Sequence, residues 1–568
     1  MTMKRVIALG AAILATACGG DGGVVSNDPF CRQVLPAVRA YMAEARAANP
    51  APDDPRYGGT VVVGNYGEIA DGMNAAVTYD LTATQHQQFV NLMTLINYDE
   101  DLNPRPYLAE SWEVAADGRS ITFHLRRDVF WHDGEQTDAH DVAFTWDVVT
   151  DPLTAFPNAA YWDHYVKGPE GIEVVDDFTV RIFLVPHAEF LDPFRSVAIL
   201  PEHLLEDVPR EELRQHPYGT QCPVGNGPFV FESHAPQDRW VFVANPAFPA
   251  GLGGRPFVDR YVYRVITEQT TLLTELLTEN VDVYIAPSPD QAQAILDHPD
   301  LELRWYTWRQ YNLVGWNARS PQLADSRVRR AITMGIDRES VVEALLQGYG
   351  TIAHSGVPPF HWAYDPQAIR PLPHDPAAAG ALLDEAGWRD RDGDGVRESA
   401  DGTRLSFTIK YNPNQLRQQT AEIMQAQLAR IGVEARPRVV EWTTLLQQIN
   451  TPELRDFDGV VMGWGSEFKL DDTDLFHSER IDQPYAWSGT QNTEIDRLLE
   501  ALSVTTGRAE AKALWAEYQN AIIREQPYTF LYFPDRLDGA NKRVRNVVMD
   551  ARGDWLNIKD WYLDPGSR

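Results

Sequence analysis

Three aspartates at alternate positions, Asp390, Asp392 and Asp394, run into Gly395 and are followed by Glu398 and Asp401. Carboxylate oxygens at the first, third and fifth places before a glycine turn are what a hard cation such as calcium takes. The twelfth place, where an EF-hand carries a bidentate glutamate, holds Asp401, and Leu405 to Ile409 alternates like a strand. The same residues therefore also read as a plain polar turn. A second acid-rich stretch, Val460 to Asp474, sets Glu467, Asp471 and Asp472 just after Trp464. The sequence carries no G-x-S-x-G elbow, no H-E-x-x-H, no phosphate-cradling G-x-x-x-x-G-K-[ST] and no C-x-x-C. The fourteen histidines are scattered, none paired at helical metal spacing. No motif demands a cofactor, and calcium is the one candidate.

Three cysteines remain. Lys4-Arg5 and the apolar run Val6 to Ala15 resemble an export signal too short to span a bilayer. Cys18 lies directly after Ala15-Thr16-Ala17 and before Gly19-Gly20-Asp21-Gly22-Gly23, as in a lipoprotein signal with residues 1–17 removed and Cys18 lipidated. Ala15-Thr16-Ala17 serves equally as an A-x-A site for ordinary signal peptidase. Outside the cytoplasm, Cys31 and Cys222 are read as a disulfide, the alternative being two buried thiols.

The elements that must position these groups are legible around Pro106 to Pro152. Ile121, Phe123 and Leu125 alternate with polar residues after the Asp117-Gly118 turn, giving a hairpin with one buried face. Past a second turn at His132-Asp133-Gly134, Thr137 is expected to cap a helix with Ala139, Val142, Trp146 and Val149 inward. Tyr261 to Ile266, a helix from about Gln269 to Glu279, and Val281 to Val283 read as strand, helix, strand and so as a partly parallel sheet. At 568 residues the chain is too long for one core and calls for several domains of roughly 100–200 residues. Its net charge of −31 disfavours nucleic acid and anionic lipid as partners.

The order LAExW, DGxxxxFxLR, FWHDG, TDAHDVAF, DP within Pro106 to Pro152 closely resembles the family 5 extracellular solute-binding proteins, the oligopeptide, dipeptide and nickel receptors of ABC importers. Further matching residues are Pro223-Val224-Gly225-Asn226-Gly227-Pro228-Phe229, Asn317, Val328-Arg329-Arg330-Ala331 and Ile336-Asp337-Arg338. The likeness runs from about Gly58 to Leu563.

That resemblance implies an α/β, two-lobed periplasmic-binding-protein-like fold with a cleft between the lobes and an extra domain on the first. Residues 18–57 would form a lipid tether and N-terminal segment. Lobe I would comprise 58–85, 220–310 and 520–568, the extra domain 86–219, and lobe II 311–519. It further implies an exported, monomeric, non-enzymatic receptor, periplasmic or on the outer cell surface, held to the membrane through Cys18 if that lipid site is used. Such a receptor closes on a solute, short peptides first, and delivers it to the transmembrane subunits of an ABC permease. Nickel chelates, oligosaccharides and opines are the other ligands of this scaffold; a hydrolase or an envelope chaperone is the more distant alternative. Cleft candidates are Met73, Asn74, Tyr311, Asn317, Trp464 and Glu467. In peptide-binding relatives a Trp-x-x-Asp carboxylate pairs with the ligand's α-amino group, and Glu467 stands at that place here.

Overall fold

The computed structural model of the chain describes residues 28–566 apart from 79, 158, 160–170 and 186–187. The export signal, Cys18 and its glycine tether lie outside the described residues. One strand organises the rest. Tyr528–Asn541 is 14 residues long, and both lobes are built on it. Its first half pairs antiparallel with Gln310–Trp316 and with Gly350–Ile352. Its second half pairs with Leu301–Thr307 and Val283–Ile285. The chain thus crosses between lobes twice, at Trp308-Arg309 and at Pro534, and the Trp308 amide donates to the Pro534 carbonyl across the two crossings at 2.9 Å.

On the far side of Pro534, lobe I continues the sheet through Val283–Ile285, Thr60–Asn65, Arg260–Val265, Arg239–Ala244 and Phe229–Ala235. Thr60–Asn65 runs parallel to both Arg260–Val265 and Val283–Ile285, as the strand-helix-strand pattern required. Lobe II adds Gly459–Gly465, Ser406–Tyr411 and Glu434–Val439, the last two parallel to each other. The extra domain has its own four-stranded antiparallel sheet, in which Ile121, Phe123 and Leu125 point inward.

Two assignments differ from expectation, a lobe boundary and a helix cap. The return to lobe I falls at Pro534 rather than at 520, because Trp515, Tyr518, Ile522, Tyr528 and Phe530 all pack into the lobe II core with Leu313 and Val460. The helix Pro29–Ala48 makes up most of the N-terminal segment that follows the tether. It buries Val34, Val38 and Met42, one face at helical spacing, against the core of the extra domain, and Cys31 is joined to Cys222 with Cα atoms 5.6 Å apart. Within the extra domain, Asp138 rather than Thr137 caps Ala139–Thr150, through a reciprocal capping box with Asp141. The two glycines of the Pro223 to Phe229 turn answer a close approach: a Cβ at Gly225 would sit 1.8 Å from the Asn91 carbonyl oxygen.

Buried arginines tie lobe II together. Arg329, fully buried, donates to the carbonyls of Leu323, Ala324, Glu525 and Gln526 and pairs with the Glu525 carboxylate at 2.5 Å. Arg338 is held by the carbonyls of Ala353, Phe530 and Leu372 instead of a carboxylate. Removing a buried cation strands the carboxylate and carbonyls that surround it, at about 3–5 kcal/mol. Arg329→Ala is therefore expected to lower the unfolding free energy by that much, measured from the midpoint and slope of a urea titration followed by tryptophan fluorescence.

Candidate functional site

Gly465 pairs with Gln310, the first strand residue after the outward crossing, so the carboxyl ends of the parallel strands of lobe II face the crossings and lobe I. Ligands in open α/β sheets bind at such ends. The chain loads this edge with large side chains and charge. Trp442 is 39% exposed and Tyr485 45% exposed, although both are aromatic. Trp464, half-buried, stands edge-on to Tyr485 and Trp487 with ring centroids 5.5 and 5.4 Å away. Arg417, in the first turn of the helix that follows Ser406–Tyr411, lies over the Trp442 ring at 5.4 Å and donates to Asn412 Oδ1 at 2.8 Å. No carboxylate among the described residues pairs with it, and partial burial lowers its pKa. A partly desolvated, unmatched guanidinium favours an anionic ligand group. At the other end of the same edge, Glu467 pairs with Arg309 at 3.2 Å. From lobe I, Tyr66 projects beyond the carboxyl end of Thr60–Asn65 with 47% of its surface exposed.

The six residues singled out from sequence divide sharply. Trp464 and Glu467 stand on the cleft edge. Met73 is buried in the lobe I core, and Asn74 spends its side chain on the Leu213 carbonyl and the Ala76 amide. Tyr311 is buried against Phe530 and Phe533. Asn317 bridges the Phe457 carbonyl and Arg319. These four, expected at the cleft from their place in the chain, have buried side chains that contact protein groups of the fold. Asp472 accepts from the Tyr518 hydroxyl at 2.7 Å and is pushed up to about 6 by burial, while Asp471 pairs with Lys469. Arg417, Trp442, Tyr485 and Tyr66 were missed. Arg417 and Trp442 each begin a helix directly after a strand, which is the signal that could have found them.

In the acidic loop, Asp390, Asp392 and Glu398 can bring one oxygen each within 4.8 Å of the others. Asp394 instead pairs with Arg404, and Asp401 with Ser399. Both Asp390 oxygens accept turn amides, from Gly393 and Gly395. The geometry is that of a polar turn holding three of the five expected ligands together.

The lobes meet over the cleft. Arg508, at the start of the lobe II helix Arg508–Glu525, donates to Glu189 at 2.8 Å and to Asn103 Oδ1 at 3.1 Å in the extra domain, and lies over Trp362 of its own lobe. Phe468 of lobe II packs among extra-domain residues, edge-on to Tyr98 and beneath the Arg195 guanidinium. A cavity of about 40 Å³ lies beside this contact, lined by Glu189, Trp362, Lys469, Asp471 and Trp515.

A two-lobed fold with a charged, aromatic-lined edge facing its own interlobe contact defines a receptor that closes on a small solute. The chain belongs to the bacterial extracellular solute-binding proteins, family 5, whose sequence profile matches residues 103–479. It is 30% identical to the oligopeptide-binding protein AppA of Bacillus subtilis over 534 residues, 93% of this chain and 96% of that one. The solved structure of that protein in complex with a nonapeptide superposes with a TM-score of 0.72 at 29% identity, covering 90% of this chain and all of the other. NikZ of Campylobacter jejuni in complex with Ni(L-His) gives 0.70 at 25% identity, covering 89% and 99%. Among the described residues no helix is long and apolar enough to cross a membrane.

The interlobe contact titrates. Burial lifts the Glu189 carboxyl from its ordinary 4.5 to about 7, with Asp192 adding to the rise and Arg508 opposing it. Opening exposes the group and returns it toward 4.5, so the closed form binds the proton more tightly. Closure should then strengthen as pH falls from about 7 toward 4.5 and level off above 7. Small-angle scattering of the ligand-free protein between pH 5 and 8 should show the more compact form at the acidic end, and Glu189→Gln should flatten the dependence.

Proposed function

We propose that this chain is the exported receptor of an ABC importer that captures short peptides and delivers them to the permease. One observation carries the reading: an unmatched cation, Arg417, and a carboxylate, Glu467, stand at two ends of one aromatic cleft edge. Arg417 touches Met462, and the chain from Met462 to Glu467 reaches at most roughly 18 Å, the length of about five residues of extended peptide. An extended peptide can lie across such an edge with its carboxylate on Arg417 and its amino end toward Glu467. Main-chain hydrogen bonds would supply affinity for any sequence, and the Trp442, Trp464 and Tyr485 faces would take varied side chains. The 30% identity to an oligopeptide-binding protein over nearly the whole chain supports the same ligand class. Closure is then a hinge equilibrium that ligand biases by touching both lobes. The lipoprotein-like start at Cys18 fits a receptor tethered beside its permease.

Native mass spectrometry of the protein as purified is expected to show a ladder of bound peptide masses. Arg417→Gln should weaken a free-carboxylate peptide by about 10–100-fold, as losing one charge-assisted pair predicts, and should leave the C-terminally amidated peptide nearly unchanged. Calorimetry showing equal affinity for both peptides in both proteins would exclude Arg417 from that role. Empty protein indifferent to peptides would shift the ligand to a non-peptide solute.

A further inference from the structure

We infer that Arg309 sets which peptides this cleft accepts, by neutralising Glu467 so that a charged ligand amino terminus is not required. The inference rests on the peptide reading above and asks more of it. Arg309 lies on the outward crossing, where its own carbonyl accepts the Ser466 amide at 2.8 Å. The strand ladder that pairs Gln310 with Gly465 therefore continues one step further and places Arg309 beside the residue preceding Glu467. The guanidinium is seated against the rings of Trp308 and Phe468, 5.8 and 5.3 Å from their centroids, and reaches the Glu467 carboxylate at 3.2 Å. Backbone register, two aromatic faces and the ion pair fix one geometry, so the match is built in and does not await the ligand.

The chemistry follows from charge. A lone carboxylate in a partly desolvated cleft discriminates strongly for an ammonium, because only a cation balances it. A carboxylate already held by a guanidinium still accepts an N–H, but the pair carries no net charge. An ammonium and an amide N–H then differ little in what they gain there. The added methylene of glutamate fits the same account, since it lets the carboxylate reach Arg309 from the Trp-x-x-Glu position. The ligand class implied is peptides whose amino end is blocked, or is carried past Glu467 by further residues, alongside those with a free α-amine.

The test compares tri- to pentapeptides made with free and with acetylated amino termini, by calorimetry on the mature protein and on Arg309→Gln. For the natural chain, acetylation should change Kd by less than about tenfold. For Arg309→Gln, with that guanidinium charge removed from beside Glu467, acetylation should cost more than about tenfold, chiefly because the free-amine peptides bind more tightly. A loss above tenfold on acetylation in the natural chain overturns the inference while leaving the peptide reading intact. An unchanged ratio in the variant does the same. If neither form binds, the peptide reading itself fails and this inference falls with it. The comparison within the natural chain needs no variant and stands even if Arg309→Gln unfolds, which its ligand-free melting curve reports.

Discussion

Both lobes are pinned to a single continuous strand, Tyr528–Asn541, and most of the molecule's geometry follows from that constraint. A strand is stiff along its length but bends where its ladder thins, and the ladder changes partners at Pro534. Proline donates no backbone hydrogen bond, so it suits a place where a sheet hands over from one set of neighbours to another. The second crossing, Trp308-Arg309, lies directly against it, joined by the Trp308 amide. Two adjacent crossings allow rotation about one axis and resist twisting, which is what opening and closing on a solute requires. In lobe I, Val283–Ile285 and its parallel neighbour Thr60–Asn65 run toward the gap, and in lobe II Gly459–Gly465, antiparallel to Gln310–Trp316, and its parallel neighbour Ser406–Tyr411 do the same. The position of the cleft is a consequence of topology before any side chain is considered.

Much of the fold could be read from residue order because its signals are local. The hairpin at Ala109–Leu125, the capped helices after Asp325 and Asp337, and the strand-helix-strand through Val265 each rest on alternation, helical spacing or a single capping residue. The boundary at Pro534 was not legible, since deciding which lobe owns Arg508–Glu525 depends on which core its Trp515 and Tyr518 enter. Helical periodicity shows that a face is buried and is silent about what buries it. The same holds for Pro29–Ala48, whose partner lies on the far side of the disulfide.

The cleft residues divided along the same line. Trp464 and Glu467, marked by a motif, lie on the lobe II edge. Met73 and Asn74 follow the first strand closely, but Tyr66 at the strand's end is exposed while Met73 is buried in the lobe I core. Tyr311 and Trp464 face each other across the ladder, yet Tyr311 is buried under Phe530 and Phe533 while Trp464 reaches the edge. Position along a strand predicts which side a residue faces; it does not predict where the sheet ends. Exposed aromatic residues beside an unmatched arginine mark the candidate site in three dimensions, and no spacing rule in one dimension encodes that.

The closed arrangement draws on two separate sets of contacts. Arg508 with Glu189, and Phe468 with Tyr98 and Arg195, join lobe II to the extra domain using protein groups alone. The edge that carries Arg417, Trp442 and Trp464 lies on lobe II, and in the proposed receptor a ligand seated on it would also touch lobe I. Contacts of the first kind favour closure by a fixed amount whatever the solute, and so set the population of closed, empty receptor. Contacts of the second kind shift that population only in proportion to how differently the ligand binds the two states. On the peptide reading proposed above, the receptor gains from this division. Much of its closing energy is independent of sequence, and each peptide need supply only the remainder through its backbone and one or two side chains. The neutral Arg309–Glu467 pair extends the same logic to the ligand's amino end, replacing a demand for charge with a hydrogen-bonding surface.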